Sequence, residues 1–203
     1  MLTLYHAIPS RSSIARWMLE EIGEPYDVHL LNLQAGDNRK PDYLAVNPMG
    51  KVPALDHDGT VVTESAAICA YLADAFPKAG LNVPVGDKRR GPYLKWLFFG
   101  PSCIEPAITD RAYPRKEEAR RGTLGHGDYE TVIDVVAKGV ANGPYLLGGQ
   151  FTAADVVIGS GLRWGMMFKL ITERPEFSAY VARLNERPAL KRAQEKDAAL
   201  SQK

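Results

Sequence analysis

Residues 47–65 read NPMGKVPALDHDGTVVTES, and this stretch decides the fold. Asn47-Pro48 and Gly50 punctuate a turn. Val52-Pro53-Ala54-Leu55 is a short apolar run headed by proline, which a strand accepts only at an edge or at its first residue. Asp58-Gly59 signals a hairpin, and Val61-Val62-Thr63 is β-branched. Glu64-Ser65 then precedes AAICAYLADAF, where Ile68, Leu72 and Ala75 or Phe76 fall on one helical face. The order is turn, strand, hairpin, strand and helix mouth. A polar pair at a helix mouth, beside a strand that opens on proline, is well placed to hold a small anion. The free N–H groups and the positive end of the helix dipole favour negative charge there.

Upstream, residues 2–5 read as a first strand. Residues 6–13 form a polar turn containing Pro9. Ile14, Ala15, Trp17, Met18, Leu19 and Ile22 then recur at helical spacing up to Gly23. Residues 26–31 are a second strand. A polar excursion over 32–42 carries Arg39 and Lys40, and a short helical turn follows at 43–46. The predicted order is an α/β domain, β-α-β, then a short helix, then β-β-α.

The pattern NP-x-GKVPAL…TES-x-AI-x-x-YL resembles the glutathione-binding half of soluble (cytosolic) glutathione transferases, bacterial type, closest to the beta- and theta-like classes. The resemblance implies a thioredoxin-like domain and a cis bond before Pro53. It also implies that the Val52 backbone pairs with the cysteinyl part of glutathione, and that Glu64 and Ser65 hold its γ-glutamyl end. Lys51 matches a position that often reaches the glycyl carboxylate, and Arg39 and Lys40 lie on a loop that can do the same. A solvated side chain is the ordinary reading of any one of these cations.

Residues 5–13, YHAIPSRSS, fill the turn where family members place a catalytic Tyr, Ser or Cys. Glutathione chemistry needs the thiolate. Lowering a thiol pKa from about 8.5 by roughly two units takes about 2.7 kcal/mol, within reach of one or two charge-assisted hydrogen bonds. Aligned on the first strand, Ser10 meets the theta-like catalytic serine, with Ser12 the second choice, Arg11 as electrostatic help and Tyr5 an outsider. Arg11 stands where beta-class enzymes carry their cysteine, so a mixed disulfide at this turn is not expected. Ser10 or Ser12 can equally serve as a helix N-cap, and one residue can do both.

Residues 77–86, PKAGLNVPVG, lack periodicity, which divides the chain into a thioredoxin-like domain at 1–77, a linker at 78–86 and an all-helical domain at 87–203. Residues 87–113 read helical, with kinks or breaks at Pro101 and Pro106. Pro114 is expected to open a helix running to Ala141. Thr152-Ala153-Ala154-Asp155 is a capping box with Asp in place of Glu. The apolar helix over 156–168 should be the buried centre of the second domain. Two proline-led helices close the chain at 175–185 and 188–199. Trp164 and Phe168 are core, or an apolar wall for an electrophile, with Tyr113, Phe99 and Cys103 as the facing wall. Residues 93–99 form an aromatic-rich helix that serves as core or as the interface of the homodimer the resemblance implies.

Apolar residues at 45% support a core, and a net charge of +1 gives no field to attract nucleic acid or an acidic membrane. The basic residues between Arg111 and Arg121 are interrupted by Glu117 and Glu118, which fits a solvated face. Cys69 and Cys103 are too few for a disulfide framework, pointing to a reducing cytoplasm. His6, His29, His57 and His126 share no metal-ligand spacing. The start of the chain has no basic region or long apolar stretch, so neither a signal peptide nor a membrane span is expected.

The expected function is conjugation of the glutathione thiolate to small hydrophobic electrophiles. A glutathione-dependent isomerase or dehalogenase would share these motifs. A non-catalytic glutathione-binding protein would keep Pro53, Glu64 and Ser65 without activating the thiol.

Overall fold

The computed structural model describes residues 1–117 and 119–201, apart from the side chain of Arg121. Glu118 and that side chain, both part of the basic run discussed above, lie outside the described residues. The chain forms two compact units, residues 1–80 with 187–203, and residues 81–186.

In the first unit β1 (Leu2–His6) is followed by α1 (Ser12–Ile22), β2 (Tyr26–Leu30), α2 (Pro41–Val46), β3 (Ala54–His57), β4 (Thr60–Thr63) and α3 (Ser65–Ala75). The sheet order is β2-β1-β3-β4, with β1 parallel to β2 and antiparallel to β3, and β3 antiparallel to β4. The β-α-β-α-β-β-α order and the mixed sheet are those expected of a thioredoxin-like domain. Asp58 and Gly59, both at positive φ, make the β3–β4 turn, and the Asp56 carboxylate accepts the Gly59 N–H.

β1 alternates, burying Leu2, Leu4 and His6. Leu4 stands opposite both Val28 and Leu55. Trp17, Met18 and Leu19 of α1 join Ile68 and Leu72 of α3 in the core, where the two helices pack together.

The last helix, α9 (Pro188–Ser201), packs on α1. Read linearly, residues 187–203 continue the helical domain; by packing they cluster with the first unit. Complementary charge draws them there. Arg187 clamps the Glu21 carboxylate at 2.6 and 2.7 Å, while Lys196, Arg192 and Tyr26 converge on buried Glu20. Burial pushes the Glu20 carboxyl up, but hydrogen bonds from Lys196, Tyr26 and Arg192 outweigh it and leave it below its ordinary 4.5. A carboxyl depressed in the fold contributes stability that is full above about pH 4.5 and is lost as pH falls through the lowered value. Urea midpoints measured from pH 7 to 3 should therefore fall in acid for the native chain. They should fall less steeply for Glu20→Gln.

The second unit contains α4 (Arg90–Phe99), α5 (Glu105–Ala112), α6 (Tyr129–Ala141), α7 (Ala153–Met167) and α8 (Pro175–Asn185). Between α4 and α5, Gly100–Ile104 adopts π-helical geometry. Pro101, which has no N–H to donate, lies inside this interruption, as the expected kink requires. Residues 151–160 are buried without interruption, so α7 is the centre of the unit. Tyr93, Trp96 and Leu97 of α4 are also core, while Phe98 is exposed.

The helix expected from Pro114 onward instead begins at Tyr129. Gly122, Gly125 and Gly127 interrupt residues 114–128, and Gly has poor helix propensity. Asp128 starts the helix by accepting the Thr131 N–H at 2.8 Å. None of the described helices is long and apolar enough to cross a membrane.

Candidate functional site

Strand register gathers the candidate residues at one end of the sheet. Tyr5 of β1 pairs with Ala54 of β3, and Ala54 pairs with Thr63 of β4. The turn leaving β1, the Val52-Pro53 segment leading into β3 and the Glu64-Ser65 pair following β4 therefore share that end. Residues separated by more than 50 positions in the chain are brought together by three hydrogen-bonded strands.

Val52-Pro53 is cis, as the resemblance implies, and Ile8-Pro9 is a second cis bond in the turn after β1. The approach to Pro53 is fixed by polar contacts to backbone. Tyr43 Oη and Asn47 Nδ2 both donate to the Lys51 carbonyl, at 2.5 and 2.7 Å. Asn38 Nδ2 donates to the Gly50 carbonyl. Arg39 Nη1 donates to the Met49 carbonyl at 3.3 Å, so this guanidinium braces the loop. Lys40 is paired with Asp37 at 2.7 Å. The Lys51 side chain is exposed and Val52 is half-buried.

Gly50 has φ +61, and an added Cβ would sit 2.7 Å from the Asn38 carbonyl oxygen and 2.8 Å from Arg39 Nη1. Gly50→Ala should cost about 1–2 kcal/mol from the left-handed backbone alone. Thermal unfolding measures this, and an unchanged midpoint would mean that the loop relocates freely.

Glu64 is exposed and sits at φ 69, ψ 122. Positive φ is uncommon for a residue other than glycine, and such outliers gather where binding or catalysis over-determines the backbone. Its carbonyl accepts the Ile68 N–H and starts α3. Ser65 is the first helical residue. The Glu64 side chain makes no capping hydrogen bond, and the N-terminal amides of the helix carry positive potential suited to a carboxylate.

In the turn after β1, the Ser10 side chain is half-buried and the Ser12 side chain fully buried. Ser10 Oγ accepts the Ser12 N–H at 3.1 Å and lies 2.6 Å from Ser12 Oγ. Ser12 Oγ in turn accepts the Ala7 N–H at 3.1 Å and lies 2.7 Å from His6 Nδ1. Neither serine is the N-cap of α1, a position that falls to Arg11; Ser10 instead holds the Ser12 N–H from one residue further out, with Ser12 buried beneath it. Arg11 is the N-cap residue of α1 by position, with an exposed side chain that makes no capping bond.

In the helical unit, Trp164 and Phe168 stand with ring centroids 5.3 Å apart, and Phe168 is 55% exposed. Tyr113 follows α5 and is 78% exposed. Cys103 lies in the π-helical interruption, its thiol pushed up by burial. Cys69 is fully buried and pushed up for the same reason. Among the described residues, no group of three or more His, Cys, Asp or Glu is arranged to hold a metal ion.

Two functional candidates escaped the sequence reading, His6 and Asp197. Alternation along β1 does signal that His6 faces inward with Leu2 and Leu4. Nothing local connects it to Asp197, which lies 191 positions away.

A thioredoxin-like sheet with this hydroxyl turn and cis-proline segment, in a chain with a separate all-helical unit, defines a class, and comparison with known proteins identifies it. Residues 10–75 match the glutathione S-transferase N-terminal domain and residues 125–188 the glutathione S-transferase C-terminal domain. Glutathione S-transferase GstA of Escherichia coli O157:H7 is 33% identical over 193 residues, covering 91% of this chain and 94% of that one. The crystal structure of a glutathione transferase from Methylococcus capsulatus is 30% identical, with a TM-score of 0.83, covering 98% of this chain and all of that one. A glutathione transferase homologue from Sulfitobacter with bound glutathione is 26% identical, with a TM-score of 0.77, covering 97% and 98%. The chain belongs to the glutathione S-transferase family.

Proposed function

We propose that this chain binds reduced glutathione at the sheet end carrying Ser10, Val52-Pro53 and Glu64-Ser65, and joins its thiolate to small hydrophobic electrophiles. The observation that carries the proposal is the Ser10 hydroxyl, half-buried at the start of α1 and backed by a second, buried hydroxyl. A hydroxyl held by the protein stabilises a thiolate as a preorganised donor. In this reading the Val52 backbone pairs with the cysteinyl unit, Glu64 and Ser65 with the γ-glutamyl end, and Lys51 with the glycyl carboxylate. Arg39 braces the loop that presents them. Arg11 adds positive charge at the turn.

Residues 1–77 carry the glutathione role. Trp164, Phe168, Tyr113 and Cys103 of the helical unit supply apolar surface for the electrophile. A homodimer and a cytoplasmic setting fit the family and the two unpaired cysteines.

The test is the ultraviolet absorbance of the thiolate, titrated with pH for glutathione bound to the protein, together with turnover of an activated aryl halide. A bound-thiol midpoint well below about 8.5, with turnover, supports the proposal. Binding with an unshifted thiol and no turnover would make this a glutathione-binding protein without chemistry. Absence of binding would leave the family's fold alone.

A further inference from the structure

His6 is completely buried, yet both of its ring nitrogens have polar partners. Nδ1 lies 2.7 Å from Ser12 Oγ, and Nε2 lies 3.1 Å from the Asp197 carboxylate. The elements around the ring contribute few charges. α9 supplies Asp197, α1 supplies Arg16, whose Nη1 donates to the same Asp197 oxygen at 2.7 Å, and β2 sets Leu30 opposite His6. With Ser10 Oγ 2.6 Å from Ser12 Oγ, a continuous line runs Ser10, Ser12, His6, Asp197.

Counting protons fixes the direction of this line. A serine hydroxyl has one proton and two lone pairs. Backbone N–H groups occupy one lone pair on each serine, from Ala7 on Ser12 and from Ser12 on Ser10. When His6 is neutral, Asp197 draws the ring proton to Nε2, and Nδ1 accepts from Ser12. Ser12 then accepts from Ser10, leaving a lone pair of Ser10 directed outward. When His6 carries two protons, Nδ1–H donates to Ser12 and Ser12 donates to Ser10. Both lone pairs of Ser10 are then filled, so its own O–H must point outward. The Ala7 carbonyl, 3.2 Å from Ser12 Oγ, is a longer alternative acceptor.

These two arrangements are the two ends of a proton transfer. We propose that His6 is the acceptor of the glutathione thiol proton, reached through Ser10 and Ser12 and held in the correct tautomer by Asp197. The assignment rests on the reading above that Ser10 meets the thiol. The S–H bond breaks as its proton passes to Ser10 Oγ, the Ser10 proton passes to Ser12 Oγ, and the Ser12 proton forms the Nδ1–H bond. Each serine loses one proton and gains another. The products are a thiolate accepting from Ser10 O–H and an imidazolium facing the Asp197 carboxylate. Buried hydrogen-bond chains of this kind polarise along their length, and a carboxylate on the far nitrogen stabilises the imidazolium that forms. His6 and Asp197 act through the serines and are positioning residues in that sense.

The test uses the intact protein labelled with 15N-histidine, titrated at fixed pH with glutathione or with glutathione methylated on sulfur. Thiolate absorbance and the His6 nitrogen signals are read together. The expected result is a thiolate band accompanied by protonation of both His6 nitrogens with glutathione, and neither change with the methylated compound. A thiolate band with His6 still singly protonated overturns the relay and leaves Ser10's role standing. His6 doubly protonated before any ligand is added overturns it too. Bound glutathione without a thiolate band overturns the Ser10 reading itself, and the relay with it. Asp197→Asn removes the charge while keeping the shape. If folded, it should raise the bound-thiol midpoint by about one pH unit, a tenfold loss of thiolate at a given lower pH. An unmoved midpoint in that variant would remove Asp197 from the mechanism.

Discussion

Ser10→Ala is expected to lower kcat/KM for glutathione conjugation by about tenfold to a hundredfold while glutathione still binds. A charge-assisted hydrogen bond to a thiolate is worth about 1.5–3 kcal/mol, and each 1.36 kcal/mol in the barrier is about tenfold in rate. The substitution also strips the acceptor from the Ser12 N–H, a cap-like loss of about 0.5–2 kcal/mol in stability. Rates must therefore be compared well below the unfolding transition.

Ser12→Ala provides the contrast. It leaves the buried Ala7 N–H and His6 Nδ1 without their shared partner, at a folding cost of about 1–3 kcal/mol. It also cuts the line from Ser10 to His6, so the bound-thiol midpoint of the folded fraction should rise while Ser10 still donates to the thiolate. Steady-state rates with glutathione at saturation, together with the bound-thiol titration, separate the two roles. Undiminished turnover in Ser10→Ala, with the thiol midpoint unmoved, would transfer the activating role to the backbone amides at the start of α1.

The sheet and its order were legible because each element has a local signature. The β-branched strands, the Asp58-Gly59 hairpin and the apolar face of residues 65–75 are all short-range patterns. That the candidate residues share one end of the sheet was legible for the same reason, since Pro53 and Glu64-Ser65 flank strands that must pair.

What failed to show in the sequence depends on distant partners or on the absence of a pattern. Residues 114–128 carry helix-compatible side chains, but three glycines and the Asp128 cap delay the helix to Tyr129. The docking of α9 on α1 depends on Glu20 and Glu21 meeting Arg187, Arg192 and Lys196, more than 160 positions away. No periodicity announces such a pairing. The positive φ of Glu64 is likewise invisible beforehand, because glutamate has no local preference for it. The segments that make up the candidate site were thus readable one by one, while the contacts beneath Ser10 became visible only through the tertiary fold.

The largest stability effect is expected at Asp155, far along the chain from the candidate glutathione-binding residues. Its carboxylate is buried and accepts from Leu146 N–H, Thr152 N–H, Thr152 Oγ1 and Tyr180 Oη, all within 3.1 Å. The reciprocal capping box with Thr152 is complete. Burial pushes the carboxyl up, against hydrogen bonds from Leu146, Thr152 and Tyr180 that favour the ionised form. One side chain thus ties the start of α7 to the loop before it and to α8. Asp155→Ala strands at least two buried N–H donors, at about 1–3 kcal/mol each, and should cost about 3–5 kcal/mol overall.

Asp155→Asn keeps the volume but replaces one acceptor oxygen with an NH2 group that faces donors, so it should fall between alanine and the native residue. Denaturant midpoints rank the three. Among the described residues, the hydrogen-bond partners of Asp155 lie between residues 146 and 180, in the helical unit, so the folded fraction of the alanine variant should bind glutathione with native affinity. A midpoint equal to the native one would mean that water replaces the carboxylate without loss. Weakened binding by a fully folded variant would instead overturn the assignment of glutathione binding to residues 1–77 alone.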